Sequence, residues 1–376
     1  MLEVHGLSKS FDGRAVNRDV SFRAEKGEIV VVVGPNASGK TTLLKSIAGL
    51  VEPDHGVILV NGDLVYEKKP GMRKARVNKP PYERNIGFVP TEHSLYPHLT
   101  LRGNLELPLR KRGWSRGDID RRIRELLEVM GLEEYGDMYP GQLSNGLKQK
   151  ASIARALSYN PPLLLLDEPF SAIDPVTREK LREEFLGLFR KLGVTVVMTT
   201  HLLEDIVFFR DHVLALVNGR VVYNGELVEE RIVSSPYMLE MMGFISIPVT
   251  VKKCIGVDEA VVAAGSGEIK VRFNPRGSIC SDGGKALLVV NPGFLGIEPP
   301  VNGDAPVLLE AVLNSVVDEL TGLKLDVEIE GKATRLPINE SEWMRIQGVV
   351  KDGKIPLYVS SEHVYLVSRE GEHGAG

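Results

Sequence analysis

The chain has 376 residues, 43% hydrophobic and 26% charged, an ordinary balance for a soluble globular protein of one to three domains. Its formal net charge of −4 argues against a general nucleic-acid binder, and no run of eighteen apolar residues offers a transmembrane helix. Without a basic-then-apolar leader it is expected to be neither secreted nor membrane-spanning, and Cys254 and Cys280, which lack metal-ligand spacing, are expected to be reduced thiols in a cytoplasm.

In chain order, "MLEVHGL" reads as a first strand and "GEIVVVV", ending at Val33, as a buried one; the apolar helix "LLKSIAGL" follows from Leu43. Asn61-Gly62 marks a hairpin turn, and the basic stretch 67–84, "EKKPGMRKARVNKPPYER", reads as a solvated loop insertion. The segment 142–157, "QLSNGLKQKASIARAL", is a helix with Ser144 as N-cap and with Lys148, Lys150 and Arg155 along it. Free N–H groups and a hydroxyl at a helix start also make an anion site, and this segment alone fits both readings. Leu163–Leu166 and "VTVVMTT" from Val194 are buried strands. Between them lies a helix capped by Asp174, with Pro175 in its first turn, Leu181, Phe185, Leu188 and Leu192 on one face, and Gly193 after its end. Asn218-Gly219 marks a second hairpin. Up to about Ser235 the alternation predicts a mostly parallel, helix-covered sheet; beyond it, short runs punctuated by Pro and Gly predict an all-β domain or small barrel.

Three places carry chemistry. "GPNASGKTT" (Gly34, Pro35, Asn36, Ala37, Ser38, Gly39, Lys40, Thr41, Thr42) follows a strand and precedes a helix, the context of a phosphate-binding loop. Its amides cradle phosphates, Lys40 reaches the β- and γ-phosphates of ATP, and Thr41 offers a hydroxyl to Mg²⁺. A glycine turn with an incidental lysine is the weaker alternative. Asp167 and Glu168 close the strand "LLLLD", where open α/β sheets hold ligands; Asp167 would join the magnesium shell and Glu168 would orient or deprotonate the attacking water, or the pair is a solvated acidic turn. His201 follows the strand "VTVVMTT" and could donate to the γ-phosphate, although a lone histidine is more often structural.

"GPNASGKT", "LSNG", "LLLLDEP", "SAID" and "TTH" stand in the order and approximate spacing of the ATP-binding-cassette ATPases, which the chain resembles over residues 1–235. It most resembles importer subunits for maltose and other sugars, molybdate, tungstate or sulfate, which carry a C-terminal β domain. The resemblance implies a P-loop NTPase cassette, with a mixed-sheet core and a helical subdomain at about 92–158, followed by an OB-like β domain of regulatory type at 236–376. It implies ATP and Mg²⁺ as cofactors and a head-to-tail homodimer in which Ser144 and Gly146 contact the γ-phosphate held by the other copy. Phe11 would stack on adenine, unless it packs in the core, and Asp174 would communicate across the dimer. The implied setting is the cytoplasmic face of the plasma membrane, peripheral, with permease subunits docking near "SLYPHLT", a solute-binding protein acting indirectly, and no nucleic acid. A soluble cassette of DNA repair or translation would need a long heptad insertion or a second cassette, and neither is present.

The sequence departs from that pattern at Asn145 and Leu147 of the signature segment, at Thr91, where the family has glutamine, and in "VVNPGFLGIEPP", which lacks the Arg-Pro-Glu common in importer β domains. Thr91 and Leu147 motivate the alternative of a degenerate, regulatory nucleotide-binding cassette with little turnover.

Overall fold

The computed structural model describes residues 1–376 except 93, 210, 265–266, 275–279, 292–293, 297–306, 320–321, 330–331, 339, 347–349, 351–352 and 369–376. The chain divides into two units, Met1–Leu227 and Val228–Gly376. The first runs β1 (Leu2–Phe11), β2 (Arg14–Ala24), β3 (Ile29–Val33), α1 (Lys40–Ala48), β4 (His55–Val60), β5 (Asp63–Lys68), β6 (Val77–Asn78), β7 (Ile86–Val89), α2 (Leu101–Lys111), α3 (Arg116–Met130) and α4 (Asn145–Leu157). It continues through β8 (Leu163–Asp167), α5 (Pro175–Leu192), β9 (Thr195–Thr200), α6 (Leu203–Phe208), β10 (His212–Val217) and β11 (Arg220–Gly225).

The continuous apolar runs are the central strands, as burial on both faces requires. One sheet has the order β11-β10-β3-β9-β8-β7, parallel except for β11, and every residue of β3, β8 and β9 is buried. Its register pairs Val33 with Thr200 and Asp167 with Thr199, which aligns the carboxyl ends of β3, β9 and β8. The alternation predicted one such sheet; the unit also holds an antiparallel sheet, β2-β1-β4-β5-β6. Both predicted hairpins are present, with Asn61 and Gly62 at φ 53° and 83° and Asn218 and Gly219 at φ 50° and 77°, the left-handed pair that a two-residue turn of this hand needs.

Helix α4 is capped by Ser144, whose hydroxyl accepts from the Leu147 amide at 3.3 Å, and α5 by Asp174, whose carboxylate accepts from Thr177 at 3.0 Å. That bond holds the Asp174 carboxyl below its ordinary pKa. On α5, Leu181, Phe185 and Leu188 face inward as expected, but Leu192 is exposed and Phe189 takes its place in the core, because the inward stripe drifts along a 3.6-residue repeat. Asn104 of α2 exchanges hydrogen bonds with the backbone of Tyr96, and Arg155 of α4 donates to the Ser94 carbonyl with its guanidinium 4.9 Å from the Tyr96 ring. The segment 94–100 is thus anchored to two helices.

The basic stretch 67–84 is not the wholly solvated insertion expected. Its middle is exposed, but Val77–Asn78 pairs with β5, Arg76 bonds Glu67, and Arg84 is only 2% exposed. Arg84 donates Nη1 to the carbonyls of Ser46 and Ile47, each at 2.9 Å, and Nε to that of Lys79 at 2.8 Å. It therefore satisfies the orphan carbonyls and the negative dipole end of α1, the helix that the phosphate-type loop opens. Burial pulls its pKa down to about 10, which leaves it charged at neutral pH.

The second unit has short helices α7 (Glu229–Ile232) and α8 (Pro236–Met241), then β12 (Ile245–Ile255), β13 (Glu259–Ala264), β14 (Gly267–Arg272), β15 (Lys285–Val290), β16 (Val307–Glu319), β17 (Gly322–Ile329), β18 (Lys332–Ile338), α9 (Glu340–Ile346), β19 (Lys354–Val359) and β20 (Val364–Ser368). The β-rich expectation holds as two antiparallel sheets, β14-β13-β12-β15-β20 and β18-β17-β16-β19, sharing a core of residues such as Ile247, Leu288, Leu325 and Leu357. Part of the segment 289–300 lies outside the described residues. The cysteines correct the reading of free thiols: Cys254, near the end of β12, and Cys280, before β15, form a disulfide across Cα atoms 6.0 Å apart. Antiparallel pairing of β12 with β15 brings the two segments together, a proximity that residue spacing does not reveal.

Arg84→Met keeps the aliphatic stem and removes the donors, leaving buried carbonyls unpaired. It is expected to lower stability by about 2–4 kcal/mol, read as the shift of the first unfolding transition in urea. An unchanged midpoint would mean that water serves those carbonyls instead.

Candidate functional site

The loop between β3 and α1 is shaped by two close approaches. Gly34 has φ 155°, and a Cβ there would stand 2.1 Å from the Leu216 carbonyl oxygen of β10; Gly39 has φ 101°, and its Cβ would meet the Val16 carbonyl oxygen at 2.5 Å. Only glycine fits either place. Ala37 supplies a further left-handed residue at φ 62°, so the loop curls before its chain enters α1. Asn17 of β2 braces it, donating Nδ2 to the Gly39 carbonyl at 3.1 Å.

Lys40 is 6% exposed and folds back onto the loop, its Nζ donating to the carbonyls of Gly34 at 2.8 Å and Pro35 at 3.1 Å. Burial lowers its pKa, against the opposing pull of Glu168 and Asp167. Thr41, next in sequence, donates Oγ1 to Asp167 Oδ1 at 3.0 Å, joining the start of α1 to the end of β8. Asp167 is 2% exposed. Glu168, one residue on, has a left-handed backbone at φ 49° and is paired with His201, with Nδ1 and Oε2 3.3 Å apart. The turn bearing His201 is fixed from below: Thr200 Oγ1 donates to Asp205 Oδ2 at 2.5 Å, and Arg182 Nε of α5 donates to Asp205 Oδ1 at 2.6 Å, an ion pair buried at both ends.

A cavity of about 570 Å³ opens over this ground, lined by loop residues Asn36 to Thr42, by Glu168 and Asn218, and by Arg14, Val16 and Arg18 of β2. Its floor is backbone N–H and hydroxyl groups at a helix start, with a lysine and two arginines around it: the surface of a polyanion site. Ser38 Oγ, on the lining, is buried without a hydrogen-bond partner among the described residues, so an acceptor or donor from a ligand would complete it.

Residues 17–171 match the family model described as ABC transporter. The molybdate/tungstate import ATP-binding protein of Pyrococcus abyssi is 34% identical over 289 residues, 75% of this chain and 80% of that protein. The spermidine/putrescine import ATP-binding protein of Nitrosospira multiformis is 32% identical over 308 residues, 80% of each. The chain belongs to the ATP-binding-cassette transporter ATPases. Among solved structures, a dimeric post-hydrolysis state of an ATP-binding cassette bound to ADP and Pi superposes with a TM-score of 0.52 at 30% identity, covering 61% of this chain and 99% of that one. Nucleotide binding is a property of that family, and the cavity over the glycine-rich loop is the candidate site for it in this chain.

Of the residues singled out by the sequence, the structure brings together the whole loop Gly34–Thr42, Asp167, Glu168 and His201. Ser144, Gly146 and Asp174 do not line the cavity. Gly146 is buried against α5, where a Cβ would meet Thr177 Cγ2 at 3.0 Å, and Asn145 Nδ2 donates to the Ala172 carbonyl at 3.3 Å, so the signature segment packs on the segment that holds Asp174. Phe11 sits at the β1–β2 turn, 45% exposed, with Lys9 Nζ 5.0 Å from its ring centroid; that position rules out core packing. Its strand partner Arg14 does line the cavity. Thr91 and Glu92 are exposed just beyond β7 and are not on the lining. Sequence reasoning passed over Asn17, Arg14, Arg18 and Thr199. Thr199 did carry a signal, since a hydroxyl in a wholly buried strand must find a partner.

Gly34→Ala should strip the chain of measurable ATP affinity and cost about 1–3 kcal/mol of stability, because its methyl cannot enter without moving β10. Titration with a fluorescent ATP analogue alongside thermal unfolding reads both, and near-native affinity would show that β10 yields.

Proposed function

We propose that this chain is the motor subunit of a binding-protein-dependent ABC importer, using ATP at a composite dimer interface to drive solute through a partner permease. The observation that carries the reading is the convergence of Lys40, Thr41, Asp167 and Glu168 beyond the carboxyl ends of β3 and β8, the two buried strands that flank β9. Import is supported by the relatives, whose names concern molybdate/tungstate in one case and spermidine/putrescine in another. Their disagreement over the solute fits a motor whose cargo is chosen by its permease and binding protein.

The Thr41 hydroxyl and the Asp167 carboxylate are hard oxygen donors, a set that suits Mg²⁺. Mg²⁺, when bound, would neutralise charge on the β- and γ-phosphates. Lys40 exchanges its loop carbonyls for phosphate oxygens, and the loop amides hold the rest of the triphosphate. Glu168 orients or deprotonates the attacking water, with His201 beside it to donate to the γ-phosphate. Phe11 stacks on the adenine.

Within one copy the signature segment stands apart from this cavity, so Ser144 and Gly146 are assigned to the ATP of a second copy, with the α4 N-terminus supplying partial positive charge. Asp174 then serves as both helix cap and cross-dimer contact. No helix among the described residues is long and apolar enough to cross a membrane, which fits a peripheral subunit at the cytoplasmic face with the permease seated near 94–100. ATP handling belongs to residues 1–235, with the helical subdomain at about 92–158, and regulation to 236–376; the compact first unit ends slightly earlier, at Leu227.

Glu168→Gln is expected to bind ATP, dimerise and lose at least about 100-fold in turnover, the usual weight of a general base; phosphate release and size-exclusion chromatography with ATP check it, and near-normal turnover removes Glu168 from the role. Mixing Lys40→Ala with Ser144→Arg subunits should restore activity through the one intact composite site of the mixed dimer. Failure to recover although mass spectrometry shows mixed dimers counts against the split site.

A further inference from the structure

Thr199 is wholly buried near the end of β9, between Met198 and Thr200, where a hydroxyl is costly unless it is bonded. It is bonded on both sides. Its Oγ1 donates to Asp167 Oδ1 at 2.7 Å and accepts from the Glu168 amide at 2.9 Å. Strand register makes this possible, since Thr199 is the direct neighbour of Asp167 across the β8–β9 ladder. One hydroxyl thereby touches the two consecutive acidic residues in different ways: the carboxylate of the first and the backbone of the second.

We propose that Thr199 is a positioning residue for both, setting the rotation of the Asp167 carboxylate and the left-handed turn from which the Glu168 side chain departs. The proposal rests on the reading of Asp167 as a magnesium-shell carboxylate and of Glu168 as the group that handles water.

Two features give Thr199 this weight. Asp167 Oδ1 receives both Thr41 and Thr199, and among the described residues no hydrogen bond reaches Oδ2. Two donors on one oxygen fix the carboxylate plane and leave the other oxygen free to serve a cation. When the Thr41 oxygen is also engaged at the metal, Thr199 is the donor that remains dedicated to Asp167. The second feature is Glu168 at φ 49°, a conformation that a residue with a long side chain adopts only where its surroundings impose it. Its amide reaches the Thr199 carbonyl at 3.2 Å as well as the hydroxyl at 2.9 Å, so loss of the hydroxyl leaves only the longer of two bonds.

The test uses the full chain and Mn²⁺ as a spectroscopic stand-in for Mg²⁺, titrated by electron paramagnetic resonance in the presence of a non-hydrolysable ATP analogue. Thr199→Val, which has the same shape without the hydroxyl, is expected to weaken Mn²⁺ binding about tenfold, the scale of losing a partner behind a metal-ligating carboxylate. It is also expected to lower kcat about tenfold or more while the KM for ATP moves less than about threefold, because the phosphate loop is untouched. Thr199→Ser, which restores the hydroxyl, should recover both quantities. Should the valine variant not fold, as judged by circular dichroism, Thr199→Ala removes the same hydroxyl and is read in its place. Unchanged Mn²⁺ affinity in the hydroxyl-less variant overturns the proposal, as does a folded Thr199→Ser no better than Thr199→Val. Asp167→Asn separates the two levels: if it too leaves Mn²⁺ binding intact, the metal reading of Asp167 fails and takes the proposal with it. If Asp167→Asn abolishes Mn²⁺ binding while Thr199→Val does not disturb it, the site reading stands and only the role of Thr199 falls.

Discussion

A carboxylate at the end of a strand of four leucines is the constraint around which the first unit is organised. Asp167 is almost entirely removed from water, and an ionised group there is tolerable only with hydrogen-bond donors and positive charge at hand. The fold supplies them from a threonine on the neighbouring strand and from the first two residues of α1, Thr41 as donor and Lys40 as positive charge. Each depends on something further away. The β8–β9 register must be correct to the residue, because a slip of one would turn the Thr199 side chain to the other face. The loop must curl tightly enough to present Thr41, which requires Gly34 to lie against β10 and Gly39 against β2.

The positive side is equally prepared. Lys40 already rests on the carbonyls of Gly34 and Pro35, so the ammonium is desolvated and placed by the chain itself. On the proposed reading little side-chain freedom remains to be lost on binding, and carbonyl oxygens would be exchanged for phosphate oxygens. Elsewhere, buried guanidinium groups secure backbone. Arg182 holds Asp205, and through it the turn that carries His201, while Arg84 holds the far end of α1. Two residues outside the cavity thus fix segments that carry its lining or the partner of a lining residue, a division between scaffold and chemistry common in enzymes that react on loops.

What could be read from the sequence was what is local. The strand–loop–helix around Lys40, the caps at Ser144 and Asp174, both Asn-Gly hairpins and the carboxyl-terminal position of Asp167 each follow from a few adjacent residues. What escaped depends on partners distant along the chain. The separate antiparallel sheet needs β1 to sit between β2 and β4; the disulfide needs β12 to pair with β15; and Arg84, in a stretch crowded with lysine and arginine, looked like one more solvated charge until Ser46 and Ile47 were seen to need it. Leu192 was misplaced because a helix face drawn too straight ignores the drift of its repeat. Thr199 was overlooked for a different reason: beside a histidine with obvious chemistry, a buried threonine reads as filler.

The anchoring of the basic stretch at both ends has a consequence for how this protein can vary. Between Lys68, which ends β5, and Val77, which pairs back onto it, residues 69–74 are exposed, and Met72 closes a turn onto Lys69. Changes in length are absorbed where backbone is exposed and unpaired, and resisted where it is pinned. Lineages of this chain can therefore lengthen or shorten between 69 and 74 while positions 77–84 keep their spacing to α1, and a fluorophore or epitope spliced after Gly71 would ride on the surface without disturbing the helix that opens at Lys40.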